Sequence, residues 1–362
     1  GGGPLQPQDV TVAEQLQSVG YKTAVIGKWG LGHAETTGVP NRQGFDYFYG
    51  YLSQVKAHNY WPEYLWRNEK KVELDNTVKV ADRGYAKGRG GASSEMNDYT
   101  HDLFTDEAMN VVEQQQEPFF LYLAYTIPHA NNEHWVMDRH GMEVPGFDYG
   151  IYNDKDWPEA QKGHAAMITR MDRDIGELLK KLQDMGIAEN TLVMFSSDNG
   201  PHREGGNDPD FNDSNGPLRG IKRDLYEGGI RVPFIAWWPG TVPAGAESAH
   251  ISAFWDLLPT ASQLAGAPVA FETDGISMVP ALMGKPQDQP KHDYLYWEFH
   301  EGRGSKQAVR KGKWKAVRLA PKQPVELYDL SKDIGETNNI AEDHPEVVET
   351  MTAIIEQART PD

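Results

Sequence analysis

Short apolar runs alternate with amphipathic helical segments through the first 290 residues of the chain. The apolar runs that read as strands cover residues 23–26, 119–125, 191–197 and 232–238. A long segment between the second and third runs repeats its apolar residues at helical spacing and stops at Gly186. Strands that alternate with helices predict βαβ units. We therefore expect an α/β fold with a mainly parallel sheet covered by helices on both faces.

The chain opens on a helix rather than on a strand. Thr11 and Glu14 form a capping-box pattern, and Gly20 ends the helical spacing. In a doubly wound sheet a helix normally follows a strand, and the sequence before Thr11 contains no strand pattern. The chain also begins with three glycines and no Met. Together these features predict that the first strand of the fold is missing.

The pattern changes near residue 290. Short strand-like segments separated by close turns cover residues 294–299, 307–310, 314–319 and 326–330, and a last helix is expected at about 345–358. This order predicts a C-terminal subdomain built from a small antiparallel sheet and a helix. We expect an α/β core over residues 1–289 and the subdomain over residues 290–362. Residues 82–97 and 130–160 are expected to form long loops.

Composition excludes several kinds of chemistry. The 362 residues include no Cys, which excludes disulfides, zinc–thiolate sites, iron–sulfur clusters and a cysteine nucleophile. The net charge of −18 argues against binding to the phosphate backbone of a nucleic acid. No apolar run approaches the length of a membrane span. The sequence does not predict an oligomeric state.

Polar side chains directly follow three of the predicted strands. Asp198 and Asn199 follow residues 191–197. Their oxygens suit a hard cation, Ca²⁺ or alternatively Mg²⁺, although Asp-Asn-Gly is also a common turn sequence. Lys28 follows the strand at 23–26, and His129 follows the strand at 119–125. Because ligands of open α/β sheets bind beyond the carboxyl ends of strands, these groups are candidates for one site.

Three further segments carry candidate groups. Lys222 lies in a glycine- and arginine-rich segment that attracts an anion or forms an ordinary exposed loop. His202, Arg203 and Glu204 follow the Asp-Asn-Gly turn and either contact a polar substrate or are solvated. The aromatic-rich run at 47–66 either stacks on sugar rings or packs in the core, and it contains His58. A cation, two lysines and a histidine at one sheet edge predict metal-assisted hydrolysis of an anionic ester, phosphate or sulfate.

Several of these segments resemble the type I, formylglycine-dependent sulfatases of the alkaline phosphatase superfamily. Residues 20–29 resemble the second signature of that family, and the segments at 198–200, 218–233 and 326–341 follow in the family's order. The resemblance implies an alkaline-phosphatase-like α/β core with a small C-terminal subdomain. It also implies hydrolysis of a sulfate ester, from a sulfated carbohydrate or an aryl sulfate, by a formylglycine hydrate beside Ca²⁺.

The resemblance also implies roles for individual residues. Asp198 and Asn199 correspond to metal ligands. Lys28 and Lys222 correspond to the lysines that contact the sulfate. His129 corresponds to the histidine that can protonate the leaving alcohol oxygen. The family's habit implies a periplasmic or secreted protein.

Two departures from the family pattern affect the expected activity. Gly30 stands where the family often has a histidine, and we hypothesise that His58, or less favourably His33, supplies the imidazole. The Cys- or Ser-x-Pro-Ser-Arg nucleophile motif is absent, as is the strand with paired aspartates. We therefore expect that an N-terminal segment carrying the formylglycine is missing, and that residues 1–362 alone have little or no sulfatase activity.

Two alternatives remain open at this stage. The first is a phosphodiesterase or phosphonate hydrolase of the same superfamily, which shares the fold. The second is a non-catalytic protein that uses the fold to bind sulfated glycans.

Overall fold

The computed structural model describes residues 3–114, 118–301 and 304–359, so Gly1 and Gly2 of the glycine-rich start lie outside the described residues. None of the helices formed by the described residues is long and apolar enough to cross a membrane. The α-helices are α1 (Val12–Ser18), α2 (Thr100–Gln114), α3 (Glu159–Asp184), α4 (Glu227–Ile230), α5 (Leu257–Ala265), α6 (Val279–Leu282) and α7 (Pro345–Ala358).

The strands that these residues form belong to four sheets. They are β1 (Lys22–Lys28), β2 (Tyr47–Tyr51), β3 (Tyr64–Arg67), β4 (Lys70–Glu73), β5 (Asn76–Val80), β6 (Gly91–Met96), β7 (Phe119–Ala124), β8 (Val193–Ser196), β9 (Phe234–Trp237), β10 (Leu295–Phe299), β11 (Lys306–Lys311), β12 (Trp314–Arg318) and β13 (Glu326–Asp329).

The largest sheet has the strand order β4-β3-β2-β1-β7. Strand β1 pairs in parallel with both β2 and β7, and the β3–β4 hairpin extends the sheet antiparallel on the other side of β2. Successive β1 side chains point to opposite faces. Val25 packs with Ala13 of α1, whereas Ile26 packs with Phe104 of α2. Helices therefore cover both faces, and the predicted α/β class is confirmed.

The first helix forms as its sequence predicts. The backbone N–H of Glu14 donates to Thr11 Oγ1 at 3.1 Å, and the N–H of Thr11 donates to Glu14 Oε2 at 2.8 Å. Gly20 has a φ of +91°, in the region that favours glycine, just after the helix ends. This reciprocal cap fixes the direction in which the chain enters β1.

Two local predictions were wrong. Strands β8 and β9 do not join the parallel sheet among the described residues; they pair antiparallel with each other, with Val193 opposite Trp237. The loop expected at 82–97 contains β6, which pairs antiparallel with β5. Gly91 allows this pairing, because a Cβ at that position would lie 2.3 Å from the carbonyl oxygen of Lys79. The strand patterns alone do not specify the partner with which each of these strands pairs.

The C-terminal region forms the expected antiparallel sheet, in the order β10-β11-β12-β13. One face of this sheet packs on α7, where Val309 contacts a cluster that includes Met351. The other face packs on Leu225 and Tyr226, which lie within the predicted anion-binding segment, shortly after Lys222. The sheet therefore supports that segment from behind. The boundary between residues 289 and 290 stays a prediction.

Candidate active site

The candidate groups lie at the carboxyl ends of β1, β2, β7 and β8. Lys28 is the last residue of β1, and the turn containing His58 follows β2. His129 lies five residues beyond the end of β7, and Asp198 lies two residues beyond the end of β8. Because β1, β2 and β7 are parallel, their carboxyl ends meet at one edge of the sheet.

Three of the predicted histidines form a column of rings. The His58 and His129 rings stack with centroids 5.2 Å apart and planes 8° apart. The His202 ring lies on the other side, with its centroid 5.5 Å from that of His129. Glu133 Oε2 lies 2.9 Å from His58 Nδ1 and orients that ring. The structure thus brings His58, which follows a different strand, directly against His129.

Lys222 meets His129 in the centre of the cluster. The Lys222 ammonium donates to His129 Nε2 at 2.8 Å, and His129 Nδ1 donates to the carbonyl oxygen of Ala130 at 2.7 Å. Burial lowers the pKa of His129 to about 3, and the positive charge of Lys222 acts in the same direction. His129 is therefore neutral at pH 7, with its proton on Nδ1 and an accepting Nε2.

Glu204 completes this centre; from the sequence it was expected, with His202 and Arg203, either to contact a polar substrate or to be solvated. Its Oε2 accepts a hydrogen bond from Lys222 Nζ at 2.8 Å, and its Oε1 accepts one from Arg223 at 2.8 Å. Burial raises the pKa of Glu204, but the contacts with Lys222 and Arg223 outweigh it and hold the pKa at about 2. The acid follows the Asp-Asn-Gly turn by four residues, and no local pattern separates it from a solvated one.

Lys28 supplies a second cation near this centre. Its pKa is lowered because the side chain is largely removed from water, while the charges of Asp198 and Glu204 oppose that change. The charge of Lys222 lowers it further, which places the two lysines within electrostatic range of each other. Two lysines within electrostatic range of each other in a partly dry site favour an anionic ligand.

Asp198 and Asn199 offer oxygen atoms but not a complete metal shell. Asp198 is exposed, and Asn199 donates its amide hydrogen to Gly200 O at 2.8 Å, which leaves Oδ1 free to accept. Their oxygens have the chemistry that Ca²⁺ or Mg²⁺ prefers, but Ca²⁺ takes about 6–8 ligands. Within the described ranges no group of three or more His, Cys, Asp or Glu side chains could hold a metal. The two residues fit part of a cation site.

His202 and Arg203 occupy different surroundings. His202 Nε2 donates to Pro128 O at 3.1 Å, and its Nδ1 accepts from the backbone N–H of Glu204 at 3.1 Å. Arg203 points away from this cluster and pairs with Asp210 at 2.5 Å and Asp208 at 3.6 Å. The structure therefore brings His202 to the site and leaves Arg203 outside it. Their substrate-binding roles stay predictions.

A cavity of about 130 Å³ lies beside this edge of the sheet. Tyr51, which lies opposite Lys28 in the β1–β2 ladder, forms part of its wall. Tyr64 and Trp66 line it with His33. The residues of the aromatic run therefore have two roles. Tyr60 and Trp61 are fully buried core residues, whereas Tyr64 and Trp66 line the cavity. His33 lies in this wall rather than in the histidine column.

Comparison with known proteins identifies the family. The family model described as Sulfatase matches residues 2–267, and the model described as N-sulphoglucosamine sulphohydrolase, C-terminal, matches residues 221–360. The chain belongs to the sulfatase family. The antiparallel C-terminal sheet and α7 lie within the second match, so both parts of the fold have counterparts in sulfatases.

The similar proteins include enzymes named for sulfated substrates. Human arylsulfatase A is 29% identical over 97% of this chain and 71% of its own length. N-acetylgalactosamine-6-sulfatase of Canis lupus familiaris is 30% identical over 78% of this chain, which spans half of that relative. The solved structure of Ps i-CgsB in complex with k-i-k-neocarrahexaose has a TM-score of 0.79 and 27% identity, over 98% of this chain and 75% of that one.

Proposed function

We propose that the protein hydrolyses sulfate esters of carbohydrates. The observation that carries the proposal is the Lys222 ammonium held on His129 Nε2, with Lys28 as a second cation nearby. An anionic ester needs positive charge at its oxygens and a proton for its leaving group. This cluster offers both at the carboxyl edge of the sheet.

In this proposal Lys28 and Lys222 bind the sulfate oxygens. His129 and Lys222 share the proton that the leaving alcohol oxygen needs, because the resting His129 carries no proton on Nε2. His58, whose ring Glu133 orients, would assist the attacking group. A formylglycine hydrate would supply the attacking oxygen, but the 362 residues contain no Cys- or Ser-x-Pro-Ser-Arg motif.

The carbohydrate part of the proposal rests on two supports. Tyr64 and Trp66 line the cavity beside the cluster, and aromatic side chains suit the apolar faces of sugar rings. One similar protein is named as an N-acetylgalactosamine-6-sulfatase, and the solved structure of another contains a neocarrahexaose. The cavity wall also contains Lys56 and Ser53, which can bind hydroxyl or anionic groups.

The function is tested on the product of the complete gene. We expect turnover of sulfated oligosaccharides and of 4-nitrophenyl sulfate, with slower turnover of the matching phosphate diesters. Faster cleavage of the phosphate esters would instead indicate a phosphodiesterase or phosphonate hydrolase. Binding of sulfated oligosaccharides with no turnover of any ester would indicate a glycan-binding protein.

We further propose that Asp198 and Asn199 bind Ca²⁺, or Mg²⁺ in its place, and that the bound cation supplies charge neutralisation for the sulfate. Ca²⁺ at about 100 times its Kd is expected to stabilise the gene product by about 2.7 kcal/mol relative to the chelated protein. Asp198→Asn removes a ligand charge and is expected to lose most of that gain in thermal unfolding. Asp208→Asn, which alters an exposed pair with Arg203, serves as the control. An equal Ca²⁺ response in all three proteins would contradict the assignment.

His58→Ala is expected to lower kcat for 4-nitrophenyl sulfate by about 10²-fold or more, because the ring stacked on His129 then no longer assists proton movement. His33→Ala is expected to leave that rate unchanged, since His33 lies in the cavity wall. Circular dichroism verifies that both variants fold. Intact turnover in His58→Ala would show that this ring does not replace the histidine absent at Gly30.

A further inference from the structure

The Glu204 carboxylate lies between three basic groups. Its Oε2 is 2.8 Å from Lys222 Nζ and 3.4 Å from His129 Nε2, and its Oε1 is 2.8 Å from an Arg223 guanidinium nitrogen. The Glu204 side chain is 19% exposed and that of Lys222 is 15% exposed. Exposed ion pairs contribute little because water screens them, and these groups are largely shielded from water.

The backbone of Glu204 is tied to the turn that carries His129. The Glu204 N–H donates to His202 Nδ1, and His202 Nε2 donates to the carbonyl oxygen of Pro128, the residue before His129. The His202 ring thus bridges two segments that are 74 residues apart. This bridge fixes the position of the Glu204 backbone, and hence of its Cα, relative to the His129 ring.

The Lys222 side of the network is held equally closely. The N–H of Lys222 donates to Pro201 O at 2.8 Å, so the backbone before Glu204 positions the lysine as well. Arg223 has a φ of +77°, a left-handed conformation that favours glycine. Its ion pairs with Glu204 and Glu301 offset the cost of that conformation. The consecutive residues Lys222 and Arg223 therefore both bind the Glu204 carboxylate.

We propose that Glu204 is a positioning residue, which directs the Lys222 ammonium at His129 Nε2 and offsets part of the positive charge that holds an anion. The effect on an anion rests on the proposed sulfatase function. The effect on the His129 ring does not, because it follows from the contacts alone.

The two effects act in opposite directions on binding and on rate. Glu204 is a negative charge beside Lys222 and within electrostatic range of Lys28, so it weakens the binding of a free anion. It also holds Lys222 in the geometry that shares a proton with His129, so it favours turnover. Loss of Glu204 therefore predicts tighter binding of inorganic sulfate together with slower catalysis. A residue that only stabilised the fold would not separate these two quantities in this way.

The test uses Glu204→Ala, the conservative Glu204→Asp and the matched control Glu301→Ala, all in the product of the complete gene. Glu301 contacts the same Arg223 but not Lys222, so its removal leaves the central pair in place. Glu204→Gln, which keeps the side-chain shape, is used if the alanine variant does not fold. Inorganic sulfate binding is measured by calorimetry, and ring ¹⁵N shifts of His129, assigned with His129→Asn, report the tautomer.

For Glu204→Ala we expect the Kd for inorganic sulfate to fall about fivefold at low salt and kcat for 4-nitrophenyl sulfate to fall about tenfold. We also expect the ¹⁵N shifts of His129 to move toward a mixture of tautomers. Glu204→Asp should recover part of each change, and Glu301→Ala should match the wild type. Unchanged His129 shifts and sulfate affinity in Glu204→Ala would overturn the proposal. Altered His129 shifts in a protein that cleaves no sulfate ester would refute the proposed function and keep the positioning role.

Discussion

Replacing Lys222 with alanine is expected to lower kcat/KM for a sulfate ester by about 10²–10³-fold, the usual cost of removing one group that stabilises transition-state charge. Lys222 touches both His129 Nε2 and Glu204 Oε2, and it lies within electrostatic range of Lys28. The substitution therefore removes a cation from the anion site and the hydrogen bond that His129 Nε2 accepts in the resting state. The rate is measured with 4-nitrophenyl sulfate on the product of the complete gene.

The same substitution has a second readout that does not depend on turnover. The charge of Lys222 is one of the causes that lower the pKa of His129, after burial. Its removal must therefore raise the pKa of His129, because the protonated ring no longer faces that ammonium. Titration of His129 by NMR measures the change. Lys313→Ala, which breaks a pair with Asp329 in the C-terminal sheet, is the control. A His129 pKa that stayed at about 3 in Lys222→Ala would contradict the contact.

Sequence reasoning identified most of the site groups whose positions follow from their place directly after a strand. Lys28, His129 and Asp198 each come directly or closely after an apolar run, so their places near strand ends follow from the run itself. The parallel β1–β2 and β1–β7 pairs then bring strand ends to one edge. Lys222 was a candidate because of its basic, glycine-rich segment, but it follows no strand whose end would have fixed its position.

The features that the sequence missed depend on contacts between distant segments. Glu204 looks like one of several polar residues after a turn, and only the folded chain places it on Lys222. Glu133 orients His58 from 75 residues away in a segment that was predicted only as a loop. Strand patterns at β8 and β9 were correct, but their antiparallel pairing depends on how the chain returns between them. In each case the local sequence pattern predicts the type of residue or element, but it does not predict the distant residue or strand that it contacts.

His129→Ala is expected to slow the hydrolysis of an alkyl sulfate by about 10²–10⁴-fold, the range for a lost proton-transfer group. It is expected to slow 4-nitrophenyl sulfate far less. The nitrophenolate leaves as an anion without help, whereas an alkoxide needs a proton as the bond to sulfur breaks. The ratio of the two rates therefore isolates the role of His129 from any general loss of folded protein, which lowers both rates equally.

His164→Ala is the matched control for that ratio. The His164 ring meets the edge of His202, with centroids 6.4 Å apart, and burial lowers the pKa of His164 to about 4. It is thus a second neutral, partly buried histidine near the column, and its ring packs on His202 rather than on His129. Its loss should change both substrates to the same extent. Equal slowing of the two esters in His129→Ala would mean that the His129 ring acts in binding. The proton for the leaving oxygen would then have to come directly from the Lys222 ammonium, which already contacts His129 Nε2 in the resting site.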